Sequence, residues 1–116
     1  MNFEEFSLSK ETMKSISEIG FEEPTPIQVS AIPLIISERD IMGQAQTGTG
    51  KTAAFAIPIA ERCRKGRKPF AIVLEPTREL AVQVAQEIYK IGKYKNISVL
   101  PVYGGTSIDR QIRTLQ

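Results

Sequence analysis

At 116 residues, with 41% hydrophobic and 24% charged side chains, the chain has the composition of one soluble globular domain with a modest core. A net charge of +2 is too small to mark a nucleic-acid binder by itself, so any such reading must rest on local motifs. The lack of histidine excludes Ser-His-Asp and zinc-finger chemistry, and Cys63, the only cysteine, excludes an internal disulfide. No apolar stretch is long enough to cross a bilayer, and the start, Met1-Asn2-Phe3-Glu4-Glu5, is acidic, opposite to a secretory signal. A cytoplasmic protein in a reducing compartment is the expectation.

Phe3 and Phe6 lie in an extended arm and, taken alone, read as anchors of that arm to the core. Ser9 is placed to cap a helix carrying Met13, Ile16 and Ile19 on one stripe, with Gly20 ending it. The next segment, Gly20-Phe21-Glu22-Glu23-Pro24-Thr25-Pro26-Ile27-Gln28, contains a capping box: Thr25 at the N-cap, Pro26 at the first helical position, Gln28 at the third. That helix carries Ile27, Ala31 and Ile32 and continues past or kinks at Pro33 towards Ile36. Two roles stand open for Gln28: its amide returns to the cap backbone, or it reads the edge of an adenine as both donor and acceptor.

After the polar turn Glu38-Arg39-Asp40, a short strand from Ile41 to Ala45 leads into Ala45-Gln46-Thr47-Gly48-Thr49-Gly50-Lys51-Thr52 and a helix-forming run. A strand, a glycine-rich turn and Lys-Thr opening a helix is the arrangement that cradles nucleotide phosphates. Glycines let successive N–H groups converge on an anion, and the helix N-terminus adds partial positive charge. Lys51 is expected to reach the outer phosphates, and the Thr52 hydroxyl to be a ligand for Mg²⁺. Ala45 departs from the generic loop, which has glycine at that position. The helix that follows is expected to bury Phe55 and Ile59 and to kink at Pro58. It ends in the basic cluster Arg62-Cys63-Arg64-Lys65-Gly66-Arg67-Lys68, read as a solvated helix-ending face, with an RNA contact as the alternative.

Phe70-Ala71-Ile72-Val73-Leu74 is a continuous apolar run, the pattern of a parallel strand covered on both faces. Glu75 at its end could imitate the acidic residue that holds Mg²⁺ opposite a phosphate loop, but the adjoining Pro76-Thr77-Arg78-Glu79-Leu80 carries its own explanation below. Thr77 caps a helix from Arg78 to about Gly92 with Leu80, Val84, Ile88 and Ile91 on one stripe. A third strand runs from Ile97 to Tyr103 and ends in Gly104-Gly105; Thr106 to Gln116 opens another helix. The order α-α-β-α-β-α-β-(α) predicts an α/β fold, a parallel sheet flanked by helices.

Phe3, the run at 20–28, Ala-Gln-Thr-Gly-Thr-Gly-Lys-Thr at 45–52, Pro-Thr-Arg-Glu-Leu-Ala at 76–81 and Gly104-Gly105 together resemble the opening of a DEAD-box RNA helicase. Ala45 is what this family carries in its loop. The resemblance implies a RecA-like P-loop NTPase domain, with residues 1–30 as a Q-motif region and 31–116 as the N-terminal part of the ATP-binding domain. It implies ATP and Mg²⁺ as cofactors, with Phe3 stacking on the adenine and Gln28 hydrogen-bonding it. Phe21 and Thr25 belong to the same motif, while Ala45, Gln46, Thr47, Gly48, Thr49, Gly50, Lys51 and Thr52 surround the phosphates. Pro76, Thr77, Arg78, Gly104 and Gly105 would meet RNA through its backbone, which sets position and not sequence. A cation at Arg78 does not suit a helix N-terminus, a misfit that favours an anionic partner.

The family's Asp-Glu-Ala-Asp and Ser-Ala-Thr motifs do not occur in these residues, nor does its second RecA-like domain. Hydrolysis needs a carboxylate for Mg²⁺ and water and cations for the developing charge. The expectation is therefore an incomplete domain that binds without turnover and leaves apolar edges open to self-association. Two other readings remain: a nucleotide- or RNA-binding module, and a P-loop helicase acting on DNA.

Overall fold

Helix boundaries follow their caps. The computed structural model describes residues 2–46, 48, 50–64, 69–104 and 108–115. Ser9 is extended, and its hydroxyl accepts the Thr12 N–H at 3.3 Å to start α1 (Lys10–Ile19). Gly20 ends it in the left-handed region, at φ 95°. The Gly20 N–H reaches the Ser17 carbonyl and the Phe21 N–H the Ile16 carbonyl, both at 3.1 Å, a Schellman closure that only glycine makes without strain. Thr25 and Pro26 open α2 (Pro26–Ile36), which carries Pro33 inside it. Gly50 precedes α3 (Lys51–Arg62), and Thr77 caps α4 (Arg78–Gly92) by accepting the Leu80 N–H at 3.2 Å. Short 3₁₀ turns span Phe3–Phe6 and Lys93–Lys95, and α5 covers Ile108–Leu115.

α3 packs against both α2 and α4, and α1 packs on α4 and the turn after it. The small residues Ala53, Ala56 and Ala60 let neighbouring backbones approach α3 closely, around Ile57, which is fully buried. Phe3, Phe6, Ile16, Ile32, Val84, Ile88 and Ile91 complete one core.

The buried faces differ from the periodicity reading in three places. On α1, Thr12, Ser15 and Ile16 are buried, whereas Met13 is half-buried and Ile19 is exposed. Polar Thr12 can go inside because Glu61 accepts its hydroxyl hydrogen at 2.8 Å, and Ser15 because it donates to the Glu11 carbonyl at 3.1 Å. On α3 the alanines and Ile57 face the core, leaving Phe55 and Ile59 half-buried. Leu80 is exposed at the first turn of α4, while Val84, Ile88 and Ile91 are buried as expected.

The expected parallel sheet is the part of the fold that the described residues do not display. Among the described residues there is no β-strand: segments 41–45, 70–74 and 97–103 run without ladder partners. A strand exists by pairing, and a run meant for both-face burial gains nothing alone. Ile72 stays 81% exposed, Leu74 89% and Met42 100%, so most of the roughly 1.5–3 kcal/mol that burying each such side chain contributes is unrealised.

Candidate nucleotide site

The site is built where the start of α2 meets the start of α3. Gly48 and Gly50 lie in the left-handed region, at φ 85° and 82°, and turn the chain into α3. Lys51 and Thr52 form the first turn of α3, where backbone N–H groups have no intrahelical acceptor. Lys51 is exposed and has no ion-pair partner among the described residues; Thr52 is half-buried. Ala45 is half-buried and Gln46 exposed, while Thr47 and Thr49 lie outside the described residues.

Gln28, 2% exposed, joins the two helix starts. Its Oε1 accepts the Thr25 N–H at 3.0 Å, and its Nε2 donates to the Gly50 carbonyl at 3.2 Å. The cap role is therefore present, leaving one amide hydrogen and one lone pair of Gln28 for a further partner. The reciprocal half of the capping box is a loose approach: the Gln28 N–H faces Thr25 Oγ1, which stays buried without a hydrogen-bonded partner. A Cβ at Gly50 would fall inside contact distance of Gln28 Nε2 and 3.1 Å from Thr25 Oγ1, so glycine is required there twice over, by space and by φ.

Phe3, 3% exposed, stacks on Phe21 with centroids 6.2 Å apart and meets Phe6 edge-on at 5.9 Å. Phe3 and Phe21 also line a cleft of about 370 Å³ between the arm and α1, rimmed by Glu4 and Glu22. The arm is thus anchored in the core, and the two aromatics come together.

A second group gathers at the start of α4. Pro76, Thr77 and Arg78 are exposed, and the Arg78 guanidinium lies 5.3 Å from the Tyr103 ring centroid. That contact brings the 76–78 segment beside Gly104, which is exposed in a turn; Gly105 lies outside the described residues. Of the basic cluster, Arg62 donates to the Ile36 carbonyl at 2.8 Å and pairs with Glu38, closing the end of α2. Residues 65–68 of that cluster lie outside the described residues. Tyr103 and Glu61 carry contacts that local patterning did not signal, because their partners are distant in sequence.

Among the described residues no group of three His, Cys, Asp or Glu side chains could hold a metal. A Mg²⁺ at this loop fits only as a phosphate-borne ion, with Thr52 as one protein oxygen and the nucleotide and water supplying the rest. Among the described residues, no helix is long and apolar enough to cross a membrane.

A glycine turn opens α3, and the capping Gln28 of α2 is bonded to it. Residues 25–116 match the family model for DEAD/DEAH box helicase, and the chain belongs to that family. It is 57% identical over 115 residues to the DEAD-box ATP-dependent RNA helicase CshA of Geobacillus kaustophilus, covering 98% of this chain and 25% of that protein. The Bacillus subtilis CshA is 56% identical, covering 100% of this chain and 24% of that protein. The chain therefore spans about a quarter of the length of the curated relatives it matches. Among solved structures, a DEAD box protein from Methanococcus jannaschii superimposes with TM-score 0.89 at 42% identity, over 100% of this chain and 32% of that one. The RNA helicase Prp28 of Chaetomium thermophilum bound to ADP gives TM-score 0.84 at 40% identity, over 98% of this chain and 29% of that one. The RecA-like path of the chain follows from these likenesses, while the sheet is not formed among the described residues.

Proposed function

We propose that this chain is the nucleotide-binding opening of an ATP-dependent RNA helicase, with residues 1–30 acting as the base-reading region and 31–116 as part of the RecA-like domain. In this reading, backbone N–H groups of the 45–52 loop, the Lys51 ammonium and the α3 N-terminus hold the triphosphate, and Thr52 contributes an oxygen to Mg²⁺. Gln28 uses its remaining donor and acceptor on the adenine, and the Phe3–Phe21 pair supplies aromatic surface for the base. Thr77, Arg78 and the glycine pair Gly104 and Gly105 take RNA backbone phosphates, with the Arg78 charge already held over Tyr103.

The observation that carries the reading is the Gln28–Gly50 hydrogen bond, because it makes the adenine-reading residue and the phosphate loop one unit. The chain as given binds nucleotide without turnover, since no Asp-Glu-Ala-Asp carboxylates are present to hold Mg²⁺ and water. A cytoplasmic setting and self-association through the open apolar segments belong to the same reading. An ATPase assay with and without RNA, joined to RNA–DNA competition for the chain, tests it. ATP binding without turnover and preference for RNA are expected; equal competition by DNA would favour a helicase of the other polymer.

A further inference from the structure

Glu61 stands at the far end of α3 from the phosphate loop, in a 12-residue helix about 18 Å long. Its carboxylate accepts the Ser9 N–H, the Ser9 hydroxyl at 2.8 Å and the Thr12 hydroxyl at 2.8 Å. The Lys95 ammonium lies 3.6 Å from the same carboxylate and donates to the Glu61 carbonyl at 2.8 Å. One side chain thus ties together the cap of α1, the end of α3 and the turn that follows α4. Thr12 is fully buried and Glu61 largely so, which makes these bonds directional constraints and not solvated surface pairs.

The arm carrying Phe3 runs straight into this tie. Its own hydrogen bonds, from the Asn2 N–H to Glu5 and from the Ser7 N–H to Glu4, stay within the arm. Five residues lie between Phe3 and Ser9, and Phe3–Phe6 are fixed in a 3₁₀ turn. Where Ser9 is pinned, the aromatic pair is placed, and α3 is the rod connecting that placement to Lys51.

We infer that Glu61 is a positioning residue that fixes the aromatic arm relative to the phosphate loop and so supports the base-dependent part of nucleotide binding. This rests on the nucleotide reading above. An apolar residue at this place would pack without directing α1, whereas a carboxylate fixes the cap by angle as well as distance.

The test is calorimetric titration of the full chain with ATP and, separately, with tripolyphosphate, which lacks the base. Glu61→Ala is expected to weaken ATP about fivefold to tenfold, a part of what one base-stacking contact is worth, and to leave tripolyphosphate within about twofold. Glu61→Gln keeps an acceptor for the Ser9 N–H, and hydroxyls can reverse their role, so it restores ATP affinity to within about twofold. Should Glu61→Ala fail to fold, the near-isosteric Thr12→Val gives the same split between ligands at smaller size. Equal losses for ATP and tripolyphosphate, or no loss of ATP binding, would overturn the inference. Phe3→Leu separates the two layers: if it weakens ATP while the Glu61 and Thr12 variants do not, this inference alone fails. If Phe3→Leu leaves ATP untouched, or the unaltered chain binds neither ligand, the base reading falls and takes this inference with it.

Discussion

The Gly50 carbonyl accepts two hydrogen bonds, one from Gln28 Nε2 at 3.2 Å and one from the Ala54 N–H at 3.1 Å. The second is the first helical bond of α3, so Gln28 is attached to the atom from which the phosphate-loop helix propagates. Any displacement of the α2 start is felt at the loop without passing through the core.

Gly50→Ala therefore strikes two constraints at once. Its Cβ would enter the space of Gln28 Nε2 and Thr25 Oγ1, and φ 82° is costly for any L side chain. A loss of about 1–3 kcal/mol in unfolding free energy is expected, along with weaker nucleotide binding. Denaturant titration of the variant checks this; an unchanged midpoint would show that the junction relaxes freely.

The helix starts could be read from the sequence because capping is local. Ser9 and Thr77 each lie three residues from the N–H they accept, Gln28 lies three from the Thr25 N–H it accepts, and Gly20 closes α1 with its own neighbours. The α4 boundaries agree with the expectation for the same reason. The buried face of α1 was not legible, since Thr12 goes inside only because Glu61 lies 49 residues away. The sheet was not legible as it stands, because apolar composition marks a strand's surroundings but cannot supply its partners. In the candidate site the loop and the Thr25–Gln28 cap were visible as spacings, while the Gln28–Gly50 and Arg78–Tyr103 contacts depend on long-range folding.

Glu61 gives the fold a dependence on pH. Burial disfavours its charge, but hydrogen bonds from Thr12 and Ser9 and the nearby Lys95 outweigh that cost and hold its carboxyl below the ordinary 4.5. A carboxyl lowered by folding stabilises the fold above its unfolded value and loses that contribution as pH falls through the folded one. The stability gap between the unaltered chain and Glu61→Gln should hold from neutral pH to about 4.5 and shrink below it. Thermal midpoints across acid pH measure it; a constant gap would contradict the assignment.

Arg78 is expected to hold an RNA phosphate. Arg78→Ala should lower RNA affinity similarly for all sequences and reduce the salt slope by about 0.7–1, the release of one counterion contact. Thermal stability should change little, because the side chain is exposed. Binding measured across salt concentrations decides this, and an unaltered slope would remove Arg78 from the interface.

Met42, Ile72 and Leu74, exposed at 100%, 81% and 89%, leave large apolar side chains in water. Sedimentation velocity should show association that grows with concentration and is reduced by Ile72→Lys with Leu74→Lys. A monomer at every concentration would contradict it.

The most direct measurement is the affinity of the chain for ATP and GTP with Mg²⁺, repeated on Lys51→Ala. The account predicts saturable ATP binding, GTP weaker by about tenfold or more through Gln28, and loss of both in the variant without loss of fold. Equal affinity for the two nucleotides, or binding that survives Lys51→Ala, would contradict it.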